Sequence, residues 1–403
     1  MSSSAQNTKA EGRPRFIALA LSGGGARAMA FHLGCLRALH DRGILAKVRV
    51  ISTVSGGSVL GAYYAYGPAD FETFEQNVVS LLRSGIQGAI AREVLFTTQL
   101  PKILATLLVT GTLSIVLGVA GIFLSSMRRL VGLPTIGIER GLAAVARRLP
   151  IWASVTTAFE RALARRLFGS KTMAEVARSD LEVVINACDL RTGTAFRFGS
   201  RRSGGWRYGE IAGPTPSVAK AVAASAAFPI LLPPLIETFQ FRKSGREHRD
   251  TVALTDGGVF ENLGVAVLEP GRSQDITVAY PTTHIISLNA GAGQMESEGT
   301  HFWWIGRVGR SFSAVHRKVQ DATYQRLHQF AESGELEAFG MIYLGQQDNR
   351  IPWSPPDLVR REEVSKYPTD FAPISRKNLE LLTKRGEQLT QIIVDRYLSQ
   401  LGD

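Results

Sequence analysis

Three glycine-bounded turns in this 403-residue chain carry the residue types that acyl-transfer chemistry requires. At Gly23-Gly24-Gly25-Ala26-Arg27 an apolar run gives way to helical spacing, so the backbone N–H groups of the turn have no helical carbonyl to bond and converge on one point. Such a turn cradles an anion, either the oxyanion of a tetrahedral intermediate or a phosphate. The phosphate reading lacks the Lys-Ser/Thr pair of a Walker motif and meets G-x-G-x-x-G only loosely, with Ala28 in the last place. Thr53-Val54-Ser55-Gly56-Gly57 approximates the nucleophile elbow G-x-S-x-G, a strained strand-to-helix turn that projects its serine. Gly57 meets the demand for a small residue and Thr53 does not. Ser52 and Ser58 lie close by, and a Ser-rich helix cap is the simpler alternative. In Leu254-Thr255-Asp256-Gly257-Gly258 a carboxylate ends an apolar strand, as a base or as an Asx turn.

The chemistry sets conditions on these groups. A serine hydroxyl is a weak nucleophile until a base takes its proton. An aspartate with an ordinary pKa of about 3.9 needs desolvation to serve as that base, and strong oxyanion stabilisation must carry the step. Of the seven histidines, His32 follows the glycine turn and His284 stands in a strand region, and both are expected to be structural. Cys35 and Cys188 are far apart with no metal-ligand spacing, so neither a disulfide framework nor a zinc site is signalled and a reducing compartment fits.

The elements that position these turns follow from periodicity. Residues 15–21 read as a strand and 26–41 as a helix; residues 48–51 and 59–66 repeat the unit. Further strands are expected at 181–187, 195–198, 252–254 and 284–288, with a small-residue helix over 218–227 halted by Pro229. The alternation predicts an α/β fold around a largely parallel central sheet. Residues 302–401 show mostly helical spacing, which predicts a helical C-terminal part (296–403) packed on the rest. Residues 1–14 contain no apolar run and read as a disordered tail without a secretory signal.

The ordered set, strand–GGGxR–helix, strand–xxSGG–helix and strand–DGG, resembles the patatin-like phospholipases. The agreement extends to Leu167-Phe168-Gly169-Ser170-Lys171-Thr172, Asn186-Ala187-Cys188-Asp189-Leu190, Ala224-Ser225-Ala226-Ala227-Phe228-Pro229 and Asp256-Gly257-Gly258-Val259-Phe260-Glu261-Asn262-Leu263-Gly264. The resemblance covers about residues 15–95 and 165–295 and implies a three-layer sandwich that hydrolyses acyl esters of phospholipids or lysophospholipids without a cofactor. It implies Ser55 as nucleophile and Asp256 as base. It also implies an oxyanion site at Gly23, Gly24, Gly25 and Arg27, with Thr53 and Gly57 framing the elbow. Asn289 stands where many relatives carry Asp.

Between the two matching stretches lies an insert, residues 96–164. Residues 101–170 hold nine basic side chains against two acidic ones, most of the chain's net charge of +11, and residues 103–124 carry no charge at all. Basic flanks around an apolar core point to an anionic membrane surface rather than to nucleic acid. The run is long enough to span a bilayer, but a single crossing would place Ser55 and Asp256 on opposite sides. The insert is therefore expected to enter one leaflet or the interface and return, bending at Gly111, Gly118 or Gly121. Val155, Phe159, Leu163 and Leu167 recur at helical spacing opposite Arg161, Arg165 and Arg166, as in a basic amphipathic helix on lipid; covering the sheet or forming a homo-oligomer contact are the alternatives. Together these features predict a membrane-associated enzyme at the cytoplasmic face. The competing readings are a catalytically inactive membrane-binding or scaffolding module and a nucleotide-binding protein.

Overall fold

The computed structural model describes residues 15–146, 149, 151–229, 231–271, 279–293 and 303–402. The expected tail, residues 1–14, and the insert's Arg147 and Arg148 lie outside the described residues. In chain order the strands are β1 (Ile17–Leu21), β2 (Val48–Val54), β3 (Glu182–Asp189), β4 (Thr194–Gly199), β5 (Ser203–Gly205), β6 (Gly209–Ile211), β7 (Leu235–Lys243), β8 (Arg246–Asp256), β9 (His284–Asn289) and β10 (Ala338–Tyr343). They form one sheet in the order β10-β9-β1-β2-β3-β4-β5-β6-β7-β8.

The sheet is mixed. β10, β9, β1, β2 and β3 are parallel, and their near-continuous apolar sequences suit burial on both faces. From β3 to β8 every pairing is antiparallel, and β8 returns to pair with β3, setting Asp256 opposite Ala187. The expectation of a largely parallel sheet thus holds for the half that carries the glycine turns.

α1 (Gly25–Asp41) and α2 (Gly56–Tyr66) follow β1 and β2 directly. Leu21 pairs with both Thr53 and Leu288, so three parallel strands end at one level and their turns open together. That is the edge where open α/β sheets bind ligands. α3 (Phe71–Ser84) and α4 (Gln87–Leu95) continue the helical layer. α9 (Val218–Ser225), the small-residue helix, is buried and lies against α2 and β3.

The insert is not a bent loop. α5 (Gln99–Ala105), a π-helical turn (Thr106–Gly111) and α6 (Thr112–Val131) form one helix, Gln99–Val131, of 33 residues or about 50 Å, passing through all three glycines expected to bend it. Return is by α7 (Ile136–Ala146), which runs back along α6; Thr135 Oγ1 donates to Leu124 O and Arg128 pairs with Glu139. The chain rejoins the body where Trp152 N donates 3.1 Å to Thr106 Oγ1. The protruding part is therefore narrower than the expected 96–164. Gln99 and Ile103 at one end, and Phe159 and Leu163 of α8 (Val155–Leu163) at the other, are buried in the body.

α8 also corrects a second expectation. Its apolar stripe packs into the main core rather than facing lipid. Arg165 pairs with the buried Glu93 at 2.8 Å, and Arg166 donates to Gly85 O.

Nor is the C-terminal part wholly helical. After α10 (Trp304–Glu332) it supplies β10 to the sheet, then α11 (Arg361–Val364) and α12 (Arg376–Tyr397), which packs along α1.

Candidate active site

Ser55 sits between β2 and α2 with φ 52° and ψ −121°, a conformation that a non-glycine residue holds only when its surroundings impose it. Part of that support is Ser225 at the end of α9. Its Oγ accepts the Ser55 N–H at 3.0 Å and donates to Asn186 O on β3 at 2.6 Å. Thr53, the departure from the elbow pattern, causes no crowding, because the small residue that relieves it is Gly61: a Cβ there would lie 2.5 Å from Thr53 Cγ2. Gly57 instead lets α2 approach β1, since its Cβ would lie 2.6 Å from Leu21 O and Ser22 O. The neighbouring serines are occupied. Ser58 is fully buried and bonds Thr53 Oγ1 and Ser225 Oγ, while Ser52 Oγ accepts from Asn186 Nδ2.

Asp256 ends β8. Its Oδ1 accepts from Gly258 N at 2.7 Å, and its carboxylate lines the same cavity as Ser55, close enough that the serine side chain acts to lower its pKa. Burial pushes its pKa up to about 6 despite both influences, which makes it a base poised near neutral pH.

The glycine turn is less open than its sequence implied. Gly23 N donates to Asn262 O at 3.1 Å and Ala26 N to Asp370 O at 2.7 Å. Gly24 (φ 139°) and Gly25 (φ 56°) require glycine for their backbone angles, and both line the cavity with Ser55, which leaves their N–H groups as the candidate pair for an anion. Arg27 does not complete that pair. Its Nη1 donates to Ser365 O at 3.3 Å and Tyr367 O at 3.0 Å, so the guanidinium holds residues 365–367; burial lowers its pKa to about 10. The segment continues across the turn, with Thr369 O where a Gly25 side chain would go.

The cavity measures about 850 Å³ and is lined by Ser55, Asp256 and the glycine turn. Its lining includes the apolar Ile90, Val94 and Leu95 of α4, Leu231, Leu232 and Phe371, and also Arg317, Gln320 and Tyr343.

Neither histidine singled out in the sequence reaches the site. His32 is fully buried within α1 without a hydrogen-bond partner among the described residues, and burial pushes its pKa down to about 3. His284 starts β9, at the far end of the strand from the turns. The histidine that does line the cavity, His316 on α10, went unread because no motif surrounds it. Its Nδ1 bonds Gly258 O at 3.1 Å and its Nε2 meets Gln320, so it bonds neither Ser55 nor Asp256. Asn289 closes a local turn, accepting from Gly291 N and donating to Tyr324. Among the described residues no group of three or more His, Cys, Asp or Glu is placed to hold a metal ion.

A sheet whose parallel strands end in a glycine turn and a serine elbow, with an aspartate delivered by an antiparallel strand, defines a hydrolase-type α/β architecture. The family model for patatin-like phospholipases matches residues 19–268, and the chain belongs to that family. Human GIVD cytosolic phospholipase A2 is similar in structure, with a TM-score of 0.50 and 14% identity over 96% of this chain and 62% of that one. VipD from Legionella pneumophila matches with a TM-score of 0.39 and 13% identity over 95% of this chain and 67% of that one. The type III effector ExoU matches with a TM-score of 0.33 and 14% identity over 97% and 54%. The chain thus spans about three fifths of the phospholipase A2 chain it resembles. No curated protein matches it.

Proposed function

We propose that the protein is a serine acyl-ester hydrolase of phospholipase A or lysophospholipase type that works through Ser55 and Asp256. The observation that carries this reading is Ser55, held in a strained turn, sharing one largely apolar cavity with a buried Asp256 whose pKa is raised by burial. Ser55 Oγ attacks the ester carbonyl carbon while its proton passes to Asp256. The oxyanion is held by the Gly24 and Gly25 N–H groups. Collapse expels the alcohol, which takes the proton back from Asp256 and leaves an acyl-enzyme. Water then gives a proton to Asp256 and attacks the acyl carbon; Ser55 departs, reprotonated, with the fatty acid.

The substrate is a membrane lipid and the hairpin between Thr106 and Trp152 is the membrane element. Its α6 is apolar and none of its side chains is buried, and Leu108, Ile115, Ile122 and Phe123 are all more than 60% exposed. Apolar exposure on that scale marks an interaction surface. Because the hairpin leaves and rejoins the body at one place, Ser55 and Asp256 stay on one side of the bilayer while it dips into a leaflet.

The test is fluorophosphonate labelling together with fatty-acid release from phospholipid vesicles, for wild type and Ser55→Ala. Labelling and release by wild type alone are expected. A wild type that does neither would make this a lipid-binding module on the same fold.

A further inference from the structure

One face of the first half of α10 is left uncovered by the described residues. Val308, Phe312 and Val315 share a helical face and are 60%, 38% and 65% exposed, and Trp303 just before the helix is 75% exposed. From residue 303 to 320 the chain has no acidic residue; Arg307 and Lys318 flank the stripe, while Arg317 turns inward to Gly293 O and Tyr343 and pairs with Asp321. An apolar stripe among cations is the pattern of a helix lying on anionic lipid.

Its place relative to the cavity gives the pattern a purpose. Phe312 lines the cavity while packing edge-on against Phe228 at 6.3 Å, and it is still partly open to solvent. Leu95 and Leu231 line the same cavity and are 56% and 65% exposed. The mouth is therefore rimmed by apolar side chains from three elements. On the α4 side the rim runs through the exposed Phe96 into the helix Gln99–Val131.

We infer that the exposed face of α10 docks on an anionic bilayer and seats the cavity mouth against the lipid, so that the hairpin anchors the protein and α10 sets its orientation. This rests on the lipid-hydrolase reading above. Charge decides the occupant: a second copy of the chain would bring Arg307 and Lys318, the cations flanking the stripe, against the same two cations, whereas an anionic surface complements them.

The test uses an environment-sensitive fluorophore on Val308→Cys and, as control, on Tyr397→Cys, an exposed position of α12; both native cysteines are buried. With vesicles of phosphatidylcholine and phosphatidylglycerol, emission at 308 should shift to the blue and intensify, with no change at 397 and little at 308 on phosphatidylcholine alone. Val308→Asp combined with Val315→Asp should lower fatty-acid release from the anionic vesicles about tenfold and leave hydrolysis of a water-soluble short-chain ester within about twofold. Unchanged emission at 308 on vesicles the wild type hydrolyses would overturn the inference. So would a dimer in the wild type that the double variant splits without changing vesicle hydrolysis. Absence of any ester hydrolysis by the wild type would instead fault the catalytic reading, and the fluorescence result would stand apart from it.

Discussion

Ser225 Oγ accepts the backbone N–H of Ser55 at 3.0 Å and donates its own hydrogen bond to Asn186 O at 2.6 Å. One buried hydroxyl thereby ties the elbow to β3, the strand on which β8 and Asp256 are registered. Ser225 touches no reacting atom; it fixes where the nucleophile stands. Ser225→Ala should lower kcat about 10- to 100-fold with KM nearly unchanged, since misplacement of the attacking atom is felt in the chemical step. It should also destabilise the protein by about 1–3 kcal/mol by leaving the Ser55 N–H unpaired. Steady-state kinetics and thermal melts read both.

The raised pKa of Asp256 fixes the sign of a pH profile. Below about 6 the carboxyl is protonated and cannot take the Ser55 proton, so kcat/KM should climb with pH through that value and level off above it. Stability runs the other way. The folded pKa lies above the unfolded one of about 3.9, so ionising the buried group costs stability that is recovered as pH falls through 6. Asp256→Asn should therefore abolish turnover and raise the melting temperature at pH 8, with a gain of up to about 3 kcal/mol. A lowered melting temperature would count against the desolvation argument.

Ser55 and Ser58 should separate cleanly. Ser55→Ala should remove labelling by fluorophosphonates and all ester hydrolysis, and adding Asp256→Asn should cost nothing more, because the two groups act as one unit. Ser58→Ala should keep labelling yet lose about 1–3 kcal/mol of stability, since Thr53 and Ser225 lose a buried partner.

Much of this site was legible in the chain. The glycine turn, the elbow and the DGG turn each combine a strand-length apolar run with residues of special backbone freedom, and such signals are local. What stayed hidden depends on distant contacts. Thr53 reads as a misfit until Gly61, about one and a half turns into α2, is seen beneath its methyl group. The stripe of α8 looks the same whether lipid or core lies against it, and only packing decides. β10 went unread because Gly340 breaks a short apolar run between two long helical patterns, and its pairing partner β9 lies some fifty residues upstream.

Arg27 offers the sharpest contrast between motif and structure. Arg27→Ala should leave the short-chain ester kcat within about tenfold but loosen residues 365–367, which Arg27 Nη1 pins through two carbonyls. Limited proteolysis should cut the variant there first. A kcat loss as large as that of a removed oxyanion donor, about 100- to 1,000-fold, would restore Arg27 to the oxyanion site.

The strap over the glycine turn also sets an order of events during synthesis. Arg27 and Tyr367 are 340 residues apart, and Ala26 draws its acceptor from Asp370, so neither bond can form until residues 367–370 have left the ribosome. The apolar hairpin emerges more than two hundred residues earlier. On the proposed reading, a nascent chain would carry its lipid-seeking part long before its oxyanion turn is finished, separating arrival at a membrane in time from the onset of hydrolysis.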